Sequence, residues 1–215
     1  MTSVRRLVVA VTAAFALGFL GSLVVRFDAV ATADRDITRR LHERAVQSDA
    51  LREVALDVTT VGDPITLTAL VAITAGWLFF RGHGRIGLWL IVTTLLASIV
   101  NSSLKVVVAR SRPDFDSVFL TPLSKSFPSG HALNTTVVFG AITIAVAWAA
   151  TSRRSLAVPV AAATVALAVG VTRPVLGVHF ASDVVAGWVL GVLWLVLTRP
   201  REDPQVTPRS AAPSG

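Results

Sequence analysis

A histidine and an aspartate near the C-terminal end of this chain are spaced for catalysis. His179 and Asp183 are four positions apart, so on a helix they share a face and can hydrogen-bond. A carboxylate on one ring nitrogen fixes the imidazole tautomer and leaves the other nitrogen as a nucleophile or base. Arg173 lies in the same segment and adds a guanidinium. The pair has the orienting logic of a catalytic triad without the serine, although such a pair is also common as a structural contact.

A second segment, Pro128-Ser129-Gly130-His131, stands where a polar loop gives way to an apolar run. Proline is favoured in the first turn of a helix, so the segment predicts a helix start. Ser129, Gly130 and His131 would then present a hydroxyl, free backbone N–H groups and an imidazole at the positive end of that helix. This combination suits an anion, and phosphate above all. Taken alone, such a tetrapeptide is a turn more often than a binding site.

A third segment carries two cations, Lys105 and Arg112, seven positions apart. A helix continuing through both would place them on one side, and Pro113 is expected to end that helix at Arg112. Lysine supplies a point charge and arginine a planar fork, which are complementary ways of holding phosphate oxygens. The alternative is that both side chains are cations snorkelling at the end of a membrane helix.

The composition indicates that these segments belong to an integral membrane protein. Of the 215 residues, 53% are hydrophobic and only 15% are charged, whereas soluble domains carry about 25% charged residues. The net charge of +7 is spread between apolar segments instead of forming one patch, which argues against nucleic acid as a partner. The chain has no cysteine, so disulfides and thiolate chemistry are excluded.

Six apolar runs predict an all-α fold, a polytopic bundle of six transmembrane helices. The first run could be a cleaved signal peptide, but it is longer than a typical signal core, so we expect a retained helix. Residues 26–63 have helically spaced apolar positions and predict amphipathic helices on the membrane surface, with His42 as a surface residue. The runs cover residues 7–25, 65–80, 86–104, 132–150, 156–171 and 184–197.

The distribution of arginine predicts the orientation in the membrane. The short connections 81–85 and 151–155 each carry two arginines and no acid. The positive-inside rule therefore assigns them to the cytoplasm. The edges of the first and last runs add Arg5, Arg6, Arg199 and Arg201 to the same face. All three chemical segments then lie on the extracytoplasmic face of a membrane domain that covers residues 1–198. Residues 199–215 are proline-rich and predict a disordered cytoplasmic tail.

The three segments together resemble the signature of a known family, the type 2 phosphatidic acid phosphatases (PAP2). These are integral-membrane lipid phosphatases that share their site with vanadium haloperoxidases. The order, the internal spacings and the six-span layout all match. One departure is Thr172, where the third motif usually opens with serine; the hydroxyl is kept, so we expect a modest effect. The matching motifs are Lys105-x6-Arg112-Pro113, Pro128-Ser129-Gly130-His131 and Arg173-x5-His179-x3-Asp183.

The resemblance implies a role for each matching residue. His179 would be the nucleophile that takes the phosphoryl group, and Asp183 would hold its ring. His131 would protonate the leaving oxygen and then activate water. The phosphate oxygens would be cradled by Lys105, Arg112, Ser129, Gly130 and Arg173.

The resemblance also implies the substrate class and the partners. The substrate would be a lipid phosphate or pyrophosphate, such as phosphatidate, phosphatidylglycerophosphate or a polyprenyl pyrophosphate. Membrane lipids would surround the protein, and no obligate protein partner is evident. No cofactor is implied. Because no Asp/Glu cluster suited to Mg²⁺ accompanies the cations, we expect them to meet the phosphoryl charge without a metal.

Two other interpretations of six apolar spans stay open. A transporter also carries polar residues at membrane depth, but it does not require a His–Asp pair beside three phosphate-type cations, and no inverted repeat is evident. A lipid-binding protein without catalysis would keep the fold. A haloperoxidase is disfavoured by the membrane composition. We expect a multi-pass protein of a bacterial plasma membrane.

The orientation can be tested by cysteine labelling, since the chain has no native cysteine. We expect Asp116→Cys to react with a membrane-impermeant thiol reagent added outside the cell, and Gly82→Cys to react only after permeabilisation. Labelling of Gly82→Cys alone from outside would reverse the assigned topology.

Overall fold

The computed structural model describes residues 3–24, 26–116, 119–149 and 156–200, and within these residues the chain is entirely helical apart from loops. This confirms the predicted all-α class. The predicted tail and the connection 151–155 lie outside the described residues, except for residues 199–200. In chain order the helices are α1 (Ser3–Val24), α2 (Asp28–Gln47), α3 (Asp49–Thr60), α4 (Pro64–Phe80), α5 (Gly84–Val108), α6 (Gly130–Ala149), α7 (Ala157–Val175) and α8 (Ala181–Thr198).

Four of the helices, α5 to α8, are each long and apolar enough to cross a membrane. The number of candidate spans rises to six if α1 with α2, and α3 with α4, are each taken as one span bent by more than 40°. The six predicted runs coincide with α1 and α4 to α8. Many large apolar side chains on these helices face outward, among them Ile65, Phe80 and Val106. Such exposure is expected where the surrounding solvent is lipid.

The centre of the bundle is α6, which packs against α4, α5, α7 and α8. Small residues allow the closest of these contacts, as is usual between membrane helices. A Cβ atom added to Gly187 on α8 would lie 2.8 Å from the carbonyl oxygen of Ser129, and one added to Gly191 would lie 2.9 Å from Cβ of Thr136. The two glycines therefore allow the start of α6 to pack directly against α8.

The first helix contributes to the same core. Ala10 and Ala14 of α1 are fully buried against a cluster that includes Leu104 and Trp194. This packing fits a retained first helix, which stays a prediction.

The surface helix α2 buries a polar stripe instead of an apolar one. His42 was expected at the surface, but it is only 3% exposed, whereas Ile37 is 50% exposed. The prediction for His42 was wrong because α2 packs on the end of α7 and the start of α8, where backbone groups need partners. His42 Nδ1 lies 3.1 Å from the carbonyl oxygen of Val175. Thr38 Oγ1 accepts a hydrogen bond from the backbone N–H of Ala181 at 3.2 Å.

At Gly177, the link between α7 and α8 packs closely against the polar stripe of α2. This residue has φ of +73°, and an added Cβ would lie 2.7 Å from His42 Nδ1. The His42 ring cannot retreat freely, because it stacks on Phe115 with the ring centroids 4.8 Å apart. The left-handed backbone and the close contact both require glycine.

We predict that Gly177→Ala destabilises the protein, because alanine in the left-handed region costs about 1–2 kcal/mol before any clash is counted. The melting temperature in detergent should fall, and activity should fall with it because His179 is in the same link. Gly76→Ala is the control, since nothing lies within 4 Å of its added Cβ. Equal melting temperatures for the two variants would contradict the prediction.

Candidate active site

The three predicted segments meet at one end of the bundle. His179 Nε2 lies 3.1 Å from Nη1 of Arg112, which joins the first segment to the third. The backbone N–H of Ser129 donates to the carbonyl oxygen of Asp183 at 2.9 Å, which joins the second segment to the third. The end of α5, the start of α6 and the α7–α8 link therefore build one site.

The His179–Asp183 contact is made at a helix start and not along a helix face. The helix α8 begins at Ala181, so His179 lies in the link before it. Asp183 Oδ2 accepts the backbone N–H of Phe180 at 2.9 Å and caps the helix N-terminus. The same oxygen is 3.5 Å from His179 Nδ1. The predicted pairing is present, but the capping turn produces it.

The surroundings of His179 favour a neutral ring with its lone pair on Nε2. The residue is 2% exposed, and this burial lowers the pKa of His179 to about 3. Because the guanidinium of Arg112 can only donate, the Nε2 atom it approaches is an acceptor. The proton of the neutral ring then belongs to Nδ1, on the side of Asp183. This is the tautomer that a nucleophilic Nε2 requires.

Arg112 reaches the site from a loop and not from a helix. The prediction that a helix continues to Arg112 was wrong, because α5 ends at Val108 and Ala109 takes a left-handed conformation with φ of 52°. The Ala109 N–H closes the helix by donating to the carbonyl oxygen of Lys105 at 3.0 Å. The turn carries the chain back over the site.

Backbone oxygens then fix the Arg112 side chain. Its Nε donates to the carbonyl oxygen of Ser124 at 2.7 Å, and Nη1 also donates to that of Val178. Burial lowers the pKa of Arg112, with Asp183 acting in the opposite direction. A guanidinium starts from so high a pKa that it keeps its charge.

Two further cations are buried beside these residues. Lys105 Nζ donates to the carbonyl oxygens of Lys125 at 2.7 Å and Ser126 at 3.4 Å. Arg173 Nη1 donates to Thr59 Oγ1 at 2.6 Å, and its Nε has no hydrogen-bond partner among the described residues. Within the described residues neither cation has a carboxylate at salt-bridge distance. Buried cations with no carboxylate in direct contact favour an incoming anion.

The second histidine, His131, lies in the first turn of α6 and has a carboxylate of its own. Its Nε2 is 3.1 Å from Oδ1 of Asp63, the residue before α4. The Asp63 side chain is 48% exposed, so this pair is the more open of the two His–Asp pairs. The carboxylate orients the ring of His131, as Asp183 orients that of His179.

Ser129 and Gly130 shape the start of α6. The helix begins at Gly130, and the Ser129 hydroxyl accepts the backbone N–H of Ala132 at 3.4 Å as a cap. Ser129 is fully buried, so its hydroxyl serves the helix in this structure; its role as a phosphate ligand stays a prediction. A Cβ on Gly130 would lie 3.0 Å from Nδ2 of Asn101, which leaves little room for a larger residue.

The structure adds residues that sequence reasoning missed. Ser126 is fully buried, donates its hydroxyl to Asp183 Oδ2 and lies 3.5 Å from His179 Nδ1. Arg110 donates to the other oxygen of the same carboxylate at 2.6 Å. Each of them precedes a predicted motif residue by two positions in sequence, Arg110 before Arg112 and Ser126 before Pro128. This closeness in sequence to motif residues was the signal that could have identified Arg110 and Ser126.

Comparison with known proteins identifies the family. The family model for the PAP2 superfamily matches residues 86–202. Phosphatidylglycerophosphatase B of Bacillus subtilis (strain 168) is 30% identical over 177 residues, which cover 81% of this chain and 86% of that protein. An undecaprenyl-diphosphatase of Sulfolobus acidocaldarius is 34% identical over 127 residues, covering 56% of this chain and 57% of that protein.

A solved structure agrees with this assignment. The crystal structure of a transmembrane PAP2 type phosphatidylglycerolphosphate phosphatase from Bacillus subtilis superposes with a TM-score of 0.80 at 29% identity. The match covers 88% of this chain and 94% of that one. The chain belongs to the PAP2 superfamily, which confirms the resemblance found in its motifs. The fold is that of a multi-pass membrane protein.

The Thr172 departure from the family motif can be tested directly. The Thr172 hydroxyl donates to the carbonyl oxygen of Val169 at 2.7 Å, within its own helix. That oxygen belongs to a helical backbone group, so little is lost without the hydroxyl. We predict that Thr172→Ser and Thr172→Val both keep kcat/KM within a few-fold of the unmodified protein. A much larger loss in Thr172→Val alone would show that the hydroxyl acts in the site.

Proposed function

We propose that this protein is a membrane-embedded phosphatase that removes the terminal phosphate of a lipid phosphate or pyrophosphate through a phosphohistidine. One observation carries the proposal. His179 has its Nε2 3.1 Å from the Arg112 guanidinium and its Nδ1 towards the Asp183 carboxylate. A phosphate held by Arg112 would therefore lie within reach of a nucleophilic nitrogen.

The reaction would proceed in two displacements. The substrate phosphate would be held by Lys105, Arg112 and Arg173, whose charges stabilise the equatorial oxygens. A bond would form between His179 Nε2 and phosphorus as the phosphorus–oxygen bond to the leaving group breaks, and His131 would give that oxygen a proton. Water would then attack the phosphohistidine, pass its proton to His131, and release inorganic phosphate and neutral His179.

The substrate class follows from the place of the site and from the relatives. The site lies at the ends of helices that are long and apolar enough to cross a membrane, where a lipid headgroup would lie while its acyl or prenyl chain stays in the bilayer. The named relatives act on a phosphatidylglycerophosphate and on an undecaprenyl diphosphate. Both substrates carry a terminal phosphate on a lipid. A panel of glycerolipid and isoprenoid phosphates assayed with the purified protein would rank them.

The proposed location is a bacterial plasma membrane with the site on the extracytoplasmic face. Arg81 and Arg85 flank the start of α5, while Lys105 lies near the other end of this helix of 25 residues. At 1.5 Å per residue, the site is about 30 Å from the arginines, roughly one hydrocarbon thickness. The positive-inside rule places the arginines in the cytoplasm. The proposal includes no nucleic acid and no obligate protein partner.

The proposed function predicts a specific pattern of activities in detergent. The purified protein should release phosphate from a lipid phosphate, and vanadate should inhibit well below the concentration at which phosphate does, because it adopts the transition-state geometry. His179→Ala should lose turnover but still bind substrate through the three cations. Asp183→Asn should lose less, since the ring remains but its tautomer is no longer enforced.

The control separates this route from attack by a metal-activated water. EDTA should leave activity unchanged, because the cations meet the charge of the transferring group. A protein that EDTA silences and Mg²⁺ restores, with His179→Ala still active, would contradict the proposed mechanism.

A further inference from the structure

We propose that Arg110 is a positioning residue, which fixes the Asp183 carboxylate and through it the ring of His179. Asp34 of the surface helix α2 completes the assembly. This inference rests on the proposed role of His179 as the nucleophile. Arg110 lies between Lys105 and Arg112, at a position that the first motif leaves unspecified.

Both oxygens of the Asp183 carboxylate are occupied. Oδ2 receives the Ser126 hydroxyl and the Phe180 N–H and faces His179 Nδ1. Oδ1 receives Nη1 of Arg110 at 2.6 Å. The carboxylate therefore cannot rotate without breaking a charged hydrogen bond, which keeps Oδ2 on the histidine side.

The burial of Asp183 makes a positive partner necessary. Its side chain is 0% exposed, and an ionised carboxylate removed from water is costly unless it is paired and hydrogen-bonded. Among the described residues, the other cations of the site do not hydrogen-bond to this carboxylate. Lys105 and Arg112 donate to backbone oxygens, and Arg112 also contacts Nε2 of His179, the ring nitrogen that faces away from Asp183. Arg110 is thus the direct counter-charge of the carboxylate.

Arg110 is itself held from three sides. Its Nη2 donates to Asp34 Oδ2 at 2.8 Å, and its Nη1 also donates to the Ser182 hydroxyl at 2.8 Å. The guanidinium carbon lies 4.2 Å from the centroid of the Phe180 ring. Asp34 further accepts the Ser182 N–H at 2.9 Å, so α2 is bonded directly to the first turn of α8.

This geometry assigns Arg110 a task different from that of the phosphate-binding cations. The three hydrogen bonds that Arg110 donates among the described residues go to two carboxylates and a hydroxyl, on the Oδ1 side of Asp183 and not on the Oδ2 side that faces the histidine. Substrate binding should therefore survive its loss, while formation of the phosphohistidine should slow. The expected signature is a fall in kcat with little change in KM.

The test begins with Arg110→Gln, which removes the charge and keeps a polar side chain. We expect kcat per folded protein to fall by about 10²-fold, the order of loss that accompanies misplacement of a catalytic group. KM should stay within a few-fold, whereas the vanadate inhibition constant should rise with the loss of kcat, because vanadate mimics the transition state. The matched control is Arg39→Gln, which removes an exposed arginine from α2 and should change none of these values.

A double-mutant cycle separates positioning from a merely structural role. If Arg110 acts through Asp183, Arg110→Gln should cost less than about threefold when it is added to Asp183→Asn, because the carboxylate it orients is already gone. An equal loss in both backgrounds would overturn the inference. So would Arg110→Gln activity equal to that of Arg39→Gln.

Two further variants keep the test decisive. If Arg110→Gln does not fold, Arg110→Lys keeps the charge but lacks the fork that bridges two carboxylates, so it should fold and still lose kcat at constant KM. An Arg110→Lys enzyme with unmodified kcat would refute the positioning role. His179→Ala in the same assay tests the proposed function separately. An active His179→Ala contradicts that function, whereas an inactive one with fully active Arg110 variants contradicts only the inference about Arg110.

Discussion

The buried carboxylate of Asp183 is the constraint on which the rest of the site depends. It is 0% exposed at the end of a membrane bundle, where an unpaired charge is strongly unfavourable. The structure meets this requirement with a guanidinium from Arg110, a hydroxyl from Ser126 and a backbone N–H from Phe180. The same carboxylate caps α8 and faces His179. One group therefore begins the helix, pairs with the Arg110 charge and orients the histidine ring.

The cations of the site fall into two sets, one bound to carboxylates and the other bound to uncharged oxygens. Arg110 is bound to two carboxylates and contributes to the architecture. Lys105, Arg112 and Arg173 are bonded to carbonyl or hydroxyl oxygens, which orient them without cancelling their charge. A low-dielectric site with positive charge left over is suited to a phosphoryl group, whose charge must be met as its bond breaks. The division explains how a membrane protein can hold so many cations in one place and still fold.

Local patterns predicted the elements and the motifs, and long-range contacts account for what they missed. Apolar runs long enough to span a bilayer predicted the helices α1 and α4 to α8, and short motif spacings predicted His179 beside Asp183. The end of α5 at Val108 was missed because Ala109 takes a left-handed conformation without glycine. His42 and Asp34 were missed because their partners, Val175 and Ser182, are far away in sequence. No periodicity within α2 reveals that its polar stripe meets the start of α8.

In the proposed mechanism the phosphoryl group passes through His179. The most direct measurement is rapid quenching of the purified enzyme during turnover of a lipid phosphate labelled in its terminal phosphate, followed by peptide mapping under alkaline conditions. We expect a transient, acid-labile label on the peptide that contains His179, formed and lost at rates compatible with kcat. Steady turnover with no label on His179 at any time point, or label confined to His131, would contradict it.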